Sequence, residues 1–256
     1  MPDLFLLSTI RRVAAETGSL ASLGHQRADR SIVAAVRAHN TLALFDWLVD
    51  VLSDQGVSDA IAWAYMDQHG RVCFSDLDQA LRARPSCLRL TNYWHFHECR
   101  FAKAAGTCAE LAHISACPLS THDLRNGRLN QTAYALFLFL RDICNGDLVG
   151  WIDERLAAAD QPGAPDRAAR MRRALLEPLR CIHGVSYKVL SMALADLLLG
   201  ADPNRERWVT TGASMVAVDT LVHNWLHRTG ILRRLGAEHA YGPACYGPGR
   251  CASIIE

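Results

Sequence analysis

Ile182-His183-Gly184-Val185-Ser186-Tyr187-Lys188 is the stretch on which the reading of this chain turns. The spacing of apolar residues predicts a helix ending near Arg180, a tight turn through Gly184 and a second helix opening near Ser186. Glycine suits such a turn because it reaches left-handed backbone angles without a Cβ penalty. Serine is a good helix N-cap, since its hydroxyl accepts a bond from a backbone N–H of the first turn. The remaining free N–H groups of that turn suit a phosphate, and they hold it without reading base sequence.

Lys188 falls in the first turn of the second helix. The chain contains two lysines, Lys103 and Lys188, and every other basic side chain is arginine. Guanidinium therefore serves wherever a plain positive charge suffices, and a retained amine points to chemistry. Arginine stays protonated and is a poor nucleophile, whereas a lysine amine attacks an electrophilic carbon and forms an imine. A surface lysine that escaped replacement is the plainer alternative. Downstream, Ala217-Val218-Asp219-Thr220 opens another helical pattern with Asp219 at its start. Backbone N–H groups and the positive helix end both favour the carboxylate there. Such an aspartate is either a simple cap or a fixed carboxylate that stabilises positive charge developing beside it.

Gly184-Val185-Ser186-Tyr187-Lys188 resembles the glycine hairpin of the helix-hairpin-helix DNA glycosylases of the endonuclease III type. Ala217 to Thr220 is similar to the stretch that holds that family's essential aspartate. Leu52-Ser53-Asp54-Gln55-Gly56 resembles the helix end from which a family glutamine reaches into the duplex. The three stretches stand in the family's order, and the resemblance spans roughly residues 41 to 230. It implies an all-α, two-lobed fold with the active site in the cleft between lobes. Residues 41–200 would form a central bundle with the hairpin at 181–188, and residues 1–40 with 201–256 the second lobe. It also implies Lys188 and Asp219 as catalytic residues and His183, Gly184, Val185, Ser186 and Gln55 as DNA contacts. His183 stands where the family has proline, and Ser186 where it has a second glycine. The segment from Lys188 to Asp219 is longer than the family's, with residues 202–206 reading as an inserted loop. The family's run of four cysteines after the catalytic domain is missing, so an iron–sulfur cluster of that type is not expected, and the chemistry needs no cofactor.

The activity so implied is base excision from duplex DNA that carries a damaged base or an abasic site. Lys188 would attack C1′ of a flipped nucleotide, and the resulting imine would allow elimination of the 3′ phosphate. Two rivals share these residues. One is a monofunctional glycosylase or bare abasic-site lyase; the other is a non-catalytic DNA-binding module whose hairpin only holds phosphates.

Working outward, the apolar spacing is helical almost throughout. Leu42, Leu44, Phe45, Leu48, Val49 and Leu52 fall on one face, as do Tyr134, Leu136, Phe137, Leu140 and Ile143. Breaks at glycine and proline divide the chain into about ten helices. Half of the 256 residues are apolar, enough for a large core. No apolar run approaches the ~20 residues of a membrane span; the longest, 133–140, ends at Arg141 and Asp142. Residues 1–10 lack a basic leader and a small-residue cleavage site and read as the first helix. A cytoplasmic, nucleoid-associated monomer with no membrane partner is expected.

The formal net charge is only +1, so distribution matters more than total. Arg167, Arg170, Arg172, Arg173 and Arg180 precede the hairpin, and Arg228, Arg233 and Arg234 follow Asp219. A basic face around one motif binds phosphate while acids elsewhere balance the sum, which nominates Arg172 and Arg173 as DNA contacts. A solvated helix face is the bland meaning of the same run. Tyr93-Trp94-His95-Phe96-His97 is the densest aromatic cluster, suited either to stacking on a base or to core packing. Nine cysteines in a cytoplasmic chain are reduced thiols or metal ligands. Cys99, Cys108, His113 and Cys117 offer donors that suit tetrahedral zinc, although no Cys-x-x-Cys knuckle is present, and Cys245 and Cys251 are further candidates.

Overall fold

The computed structural model describes residues 32–53, 59–83 and 87–256, and over these the chain is helical with one small β-hairpin. Helices α1 (Ile32–Arg37), α2 (Thr41–Ser53), α3 (Asp59–His69) and α4 (Phe74–Ala83) lead to the single turn α5 (Tyr93–Phe96). Strands β1 (Phe101–Ala102) and β2 (Thr107–Cys108) then pair antiparallel, with Phe101 opposite Cys108. Next come α6 (Asn130–Asp142), α7 (Leu148–Ala159), α8 (Arg167–Leu179), α9 (Tyr187–Ala201) and α10 (Glu206–Ala213). The chain closes with α11 (Thr220–Arg228), α12 (Ile231–Arg234) and α13 (Cys251–Ile255). The helix expected over residues 1–10, and Gln55 with it, lie outside the described residues.

Helix α6 is the axis of the larger core. Every residue from Asn130 to Leu140 is buried, as a helix must be when its apolar side chains run all the way round. Phe137 packs against Phe45 of α2 at 6.3 Å and Phe74 of α4 at 4.6 Å between ring centres. The polar start of α6 ties surrounding loops to this axis. Asn130 accepts from the Leu124 N–H at 3.0 Å and donates to the Leu119 and His122 carbonyls. Gln131 donates to the Cys99 carbonyl at 3.2 Å, and the Thr132 hydroxyl donates to the His183 carbonyl at 2.6 Å. An unpaired buried polar group costs about 1–3 kcal/mol, so these bonds fix where the loops sit. The last of them anchors the glycine turn.

Two separate clusters of buried residues form. The first runs from Ile32 to Met215, and the second gathers Val218, Leu226, Leu232, Ala237, Cys245, Cys251 and Ala252. Ile32, Val36 and Trp208, expected in the second lobe, pack into the first core. The longer segment before Asp219 is a turn followed by α10, whose Trp208 is buried and donates to Asp153 at 2.6 Å. The β-hairpin was not expected, because strands of two residues carry no alternation to read. Among the described residues no helix is long and apolar enough to cross a membrane.

Candidate active site

The turn between α8 and α9 is built as its sequence dictates. Pro178 sits in the last turn of α8, and the Cys181 and Ile182 N–H groups bond back to the Pro178 and Leu179 carbonyls. Gly184 then takes φ +77°, a left-handed angle that side chains strain to reach. A Cβ there would also lie 2.8 Å from Lys103 Nζ and 3.0 Å from Thr132 Oγ1. Ser186 caps α9, its hydroxyl accepting from the Val189 N–H at 3.3 Å. Lys188 therefore leaves the first turn of α9.

Asp219 is the N-cap of α11, with one carboxylate oxygen accepting from the Val222 N–H at 2.9 Å. Its other oxygen lies 3.5 Å from Lys188 Nζ. Both side chains are partly open to water, 40% exposed for Lys188 and 32% for Asp219, so each is reachable by a ligand. The Val222 N–H, with the Lys188 charge beside it, holds the Asp219 carboxyl below the usual carboxylate range, against the opposing effect of burial.

A cavity of about 510 Å³ opens beside this pair, lined by Lys188 and by Val218, the residue before Asp219. Val185, Ser186, Tyr187 and Lys188 form one wall, and Tyr241, Gly242, Pro243 and Tyr246 the other. Tyr246 is the brace between walls. Its ring stacks on Tyr187 at 5.0 Å and 18°, and its hydroxyl accepts from the Val218 N–H at 2.9 Å and returns a bond to the Val218 carbonyl. Burial pushes its phenol up to about 12, so it stays a donor at all physiological pH.

The expected DNA contacts fare unevenly. Gly184 and Ser186 are exposed at the hairpin, and Val185 is half-buried against the first core. The His183 ring turns inward, edge-on to Phe96 at 5.4 Å with Nε2 3.3 Å from the Phe96 carbonyl. Burial keeps that imidazole below the usual histidine range, so it is neutral at pH 7 and is not a charged DNA contact. Arg173 is exposed beside the hairpin, whereas Arg172 is only 4% exposed. Arg172 donates to the Ser214 carbonyl at 2.7 Å and pairs with Glu256 at 2.5 Å. It lies on the same face of α8 as Leu175, Leu176 and Leu179, which carries it into the protein. Arg167 is likewise engaged, by Asp160 and Glu206. Arg172→Ala is expected to cost about 3 kcal/mol, the low end for breaking a buried pair because Glu256 keeps some water. A urea denaturation midpoint measures this, and DNA affinity should barely move.

Lys103 was passed over in the sequence because no motif surrounds it. The β-hairpin turn carries its amine to the glycine turn, so both lysines of the chain meet the same loop. Of the Tyr93 to His97 cluster, Tyr93 and Phe96 are core and Trp94 is exposed.

The expected metal set does not assemble. His113 pairs with Glu110 at 3.3 Å, and Cys99, Cys108 and Cys117 pack into the first core, where burial pushes the Cys99 thiol up to about 11. The metal-capable group among the described residues is His223, His239, Cys245 and Cys251. Two of its members are the cysteines noted in the sequence; the histidines were missed because nothing local in their spacing marks them.

No protein-family model, curated protein or solved structure matches the chain. The functional reading therefore rests on the geometry of the cleft.

Proposed function

We propose that the chain is a helix-hairpin-helix DNA glycosylase with associated abasic-site lyase activity, acting on duplex DNA. The observation that carries this reading is the pair of Lys188 and Asp219, brought from two helix N-termini to 3.5 Å, with Lys188 lining an open cavity beside a glycine turn. An amine, a carboxylate and a phosphate-binding turn in one place are the parts that base excision through an imine requires.

The reaction follows from the parts. A flipped nucleotide enters the cavity, where the Tyr187–Tyr246 stack offers an aromatic surface near the base. As the glycosidic C–N bond breaks, positive charge develops at C1′, and the Asp219 carboxylate stabilises it. The Lys188 amine forms the new C1′–N bond, the departing base leaves with the bonding pair and takes up a proton, and Asp219 stands ready to accept the proton lost by the amine. Opening of the sugar ring, with a proton to its oxygen, gives the imine. Loss of the C2′ proton then expels the 3′ phosphate, and water releases the product from Lys188. Borohydride reduction during turnover on an abasic-site duplex tests this: a stable covalent complex is expected, and none forms if the lysine only contacts phosphate.

The basic groups left at the hairpin are Lys103, Arg173 and Arg180, the last lining the cavity. Phosphate contacts release counterions and carry no base sequence, so binding should be nearly sequence-independent and should weaken with salt. Replacing Arg173 and Arg180 by Gln together should lower the log–log salt slope by up to about 2, about one unit per contact. An unchanged slope, measured by fluorescence anisotropy on a labelled duplex, would move the DNA to another face.

A further inference from the structure

His223, His239, Cys245 and Cys251 each bring one ligand atom to within 4.8 Å of the others. His223 comes from α11, one turn after Asp219; His239 and Cys245 come from the segment between α12 and α13; Cys251 opens α13. Cys245 and Cys251 are fully buried in the second core, and His223 is nearly so. Nδ1 of His223 lies 3.4 Å from Cys251 Sγ and 3.5 Å from Cys245 Sγ, and Nε2 of His239 lies 3.4 Å from Cys251 Sγ.

Those three distances are close to the N···S edges of a zinc coordination tetrahedron. Zinc binds thiolate at about 2.3 Å and imidazole at about 2.0–2.1 Å, which sets N···S edges of about 3.6 Å at tetrahedral angles. Hydrogen bonding alone explains the contacts poorly, because one imidazole nitrogen faces two sulfurs and carries at most one proton, and thiols are weak partners. A two-iron, two-sulfur centre also takes two cysteines and two histidines, but it puts the cysteines on one iron and the histidines on the other. Here one histidine nitrogen is adjacent to both sulfurs, so the four donors share one centre.

We propose that these four side chains hold a single structural zinc ion that fastens the C-terminal segment as the wall of the Lys188 cleft. Four protein donors close the coordination sphere, leaving no position for water or substrate, which separates this site from the chemistry. The second core contains few apolar side chains, so a metal crosslink supplies what its small size lacks. Two links then reach the cleft. His239 and Cys245 bracket Tyr241, Gly242 and Pro243, which line the cavity, and Tyr246 follows Cys245 directly. Through His223 the ion also fixes the first turns of α11, whose cap is Asp219. The zinc site itself stands independently of the proposed excision activity; only its role in shaping that cleft rests on it.

Metal content of the full chain is the test, since it reads the site without any enzyme assay. Elemental analysis should find about one zinc per chain. Cobalt(II) put in its place should give the intense visible bands of a tetrahedral site together with thiolate charge transfer. Replacing both Cys245 and Cys251 by Ser should remove the metal, while the same change at Cys99 and Cys117 should leave it in place. Should the first variant fail to fold, the parent chain still decides: chelation should expose residues 236–250 to protease, and added zinc should restore protection. Lys188→Gln should keep its zinc, so loss of excision and loss of metal remain distinguishable. A parent chain that takes up neither zinc nor tetrahedral cobalt, metal retained without Cys245 and Cys251, or an iron–sulfur absorption spectrum would overturn the proposal.

Discussion

Lys188→Gln is expected to abolish the borohydride-trapped complex with abasic DNA while leaving duplex affinity nearly unchanged. Glutamine keeps most of the side-chain length and its polarity but has no nucleophilic amine, so the covalent step disappears and the surrounding phosphate contacts remain. Lys103→Arg provides the control, because the chain has no other lysine and Lys103 belongs to the hairpin surface rather than to the Asp219 pair. That variant should trap as well as the parent, and peptide mapping of the parent adduct should place the sugar on Lys188. An adduct of undiminished yield in Lys188→Gln would take the residue out of the mechanism and leave the 3.5 Å contact with Asp219 as an ion pair only.

Asp219→Asn should reduce base excision by about 10²–10³-fold, the usual loss when one group that stabilises transition-state charge is removed from a preorganised site. Asparagine keeps the side-chain shape and an oxygen to accept from the Val222 N–H, so the α11 cap survives and folding changes little. Single-turnover kinetics on a damaged duplex would measure the loss. Stability against pH gives a second signature. The folded Asp219 carboxyl is held below its ordinary value, chiefly by the Val222 N–H, so its charged form stabilises the fold above the unfolded pKa, and that contribution fades as pH falls through the folded one. Any excess stability of the parent over Asp219→Asn should therefore be present at neutral pH and vanish in acid. Full excision by a well-folded Asp219→Asn protein would reduce the residue to a cap.

The local pieces of this site were legible because each depends on a few neighbouring residues. Gly184 marks a left-handed turn, Ser186 and Asp219 are cap types, and both are N-caps in the folded chain. The helical period of residues 134–143 was equally plain, although the all-round burial of that helix followed only from what surrounds it. Arg172 and Arg173 show the limit. They are adjacent in sequence and about 100° apart on the helix, so one pairs with Glu256 inside while the other faces water. The leucines at 175, 176 and 179 share the Arg172 face, and that spacing was a usable warning.

The metal-capable group shows the same limit over a longer range. Cys99, Cys108, His113 and Cys117 are closer together in sequence, yet the set that meets is His223, His239, Cys245 and Cys251. Ligands converge by the path of the backbone between them, and donor identity says nothing of that path. The sequence by itself determined that the chain is helical, that it turns at Gly184 and that Lys188 and Asp219 each begin a helix, since these are consequences of backbone angles and short-range hydrogen bonds. Tertiary structure alone decided that those two helix ends meet at 3.5 Å, that Lys103 reaches the same turn, that Arg172 pairs with Glu256, and which sulfurs meet. Those outcomes depend on contacts between residues far apart in the chain, within each core as well as between them.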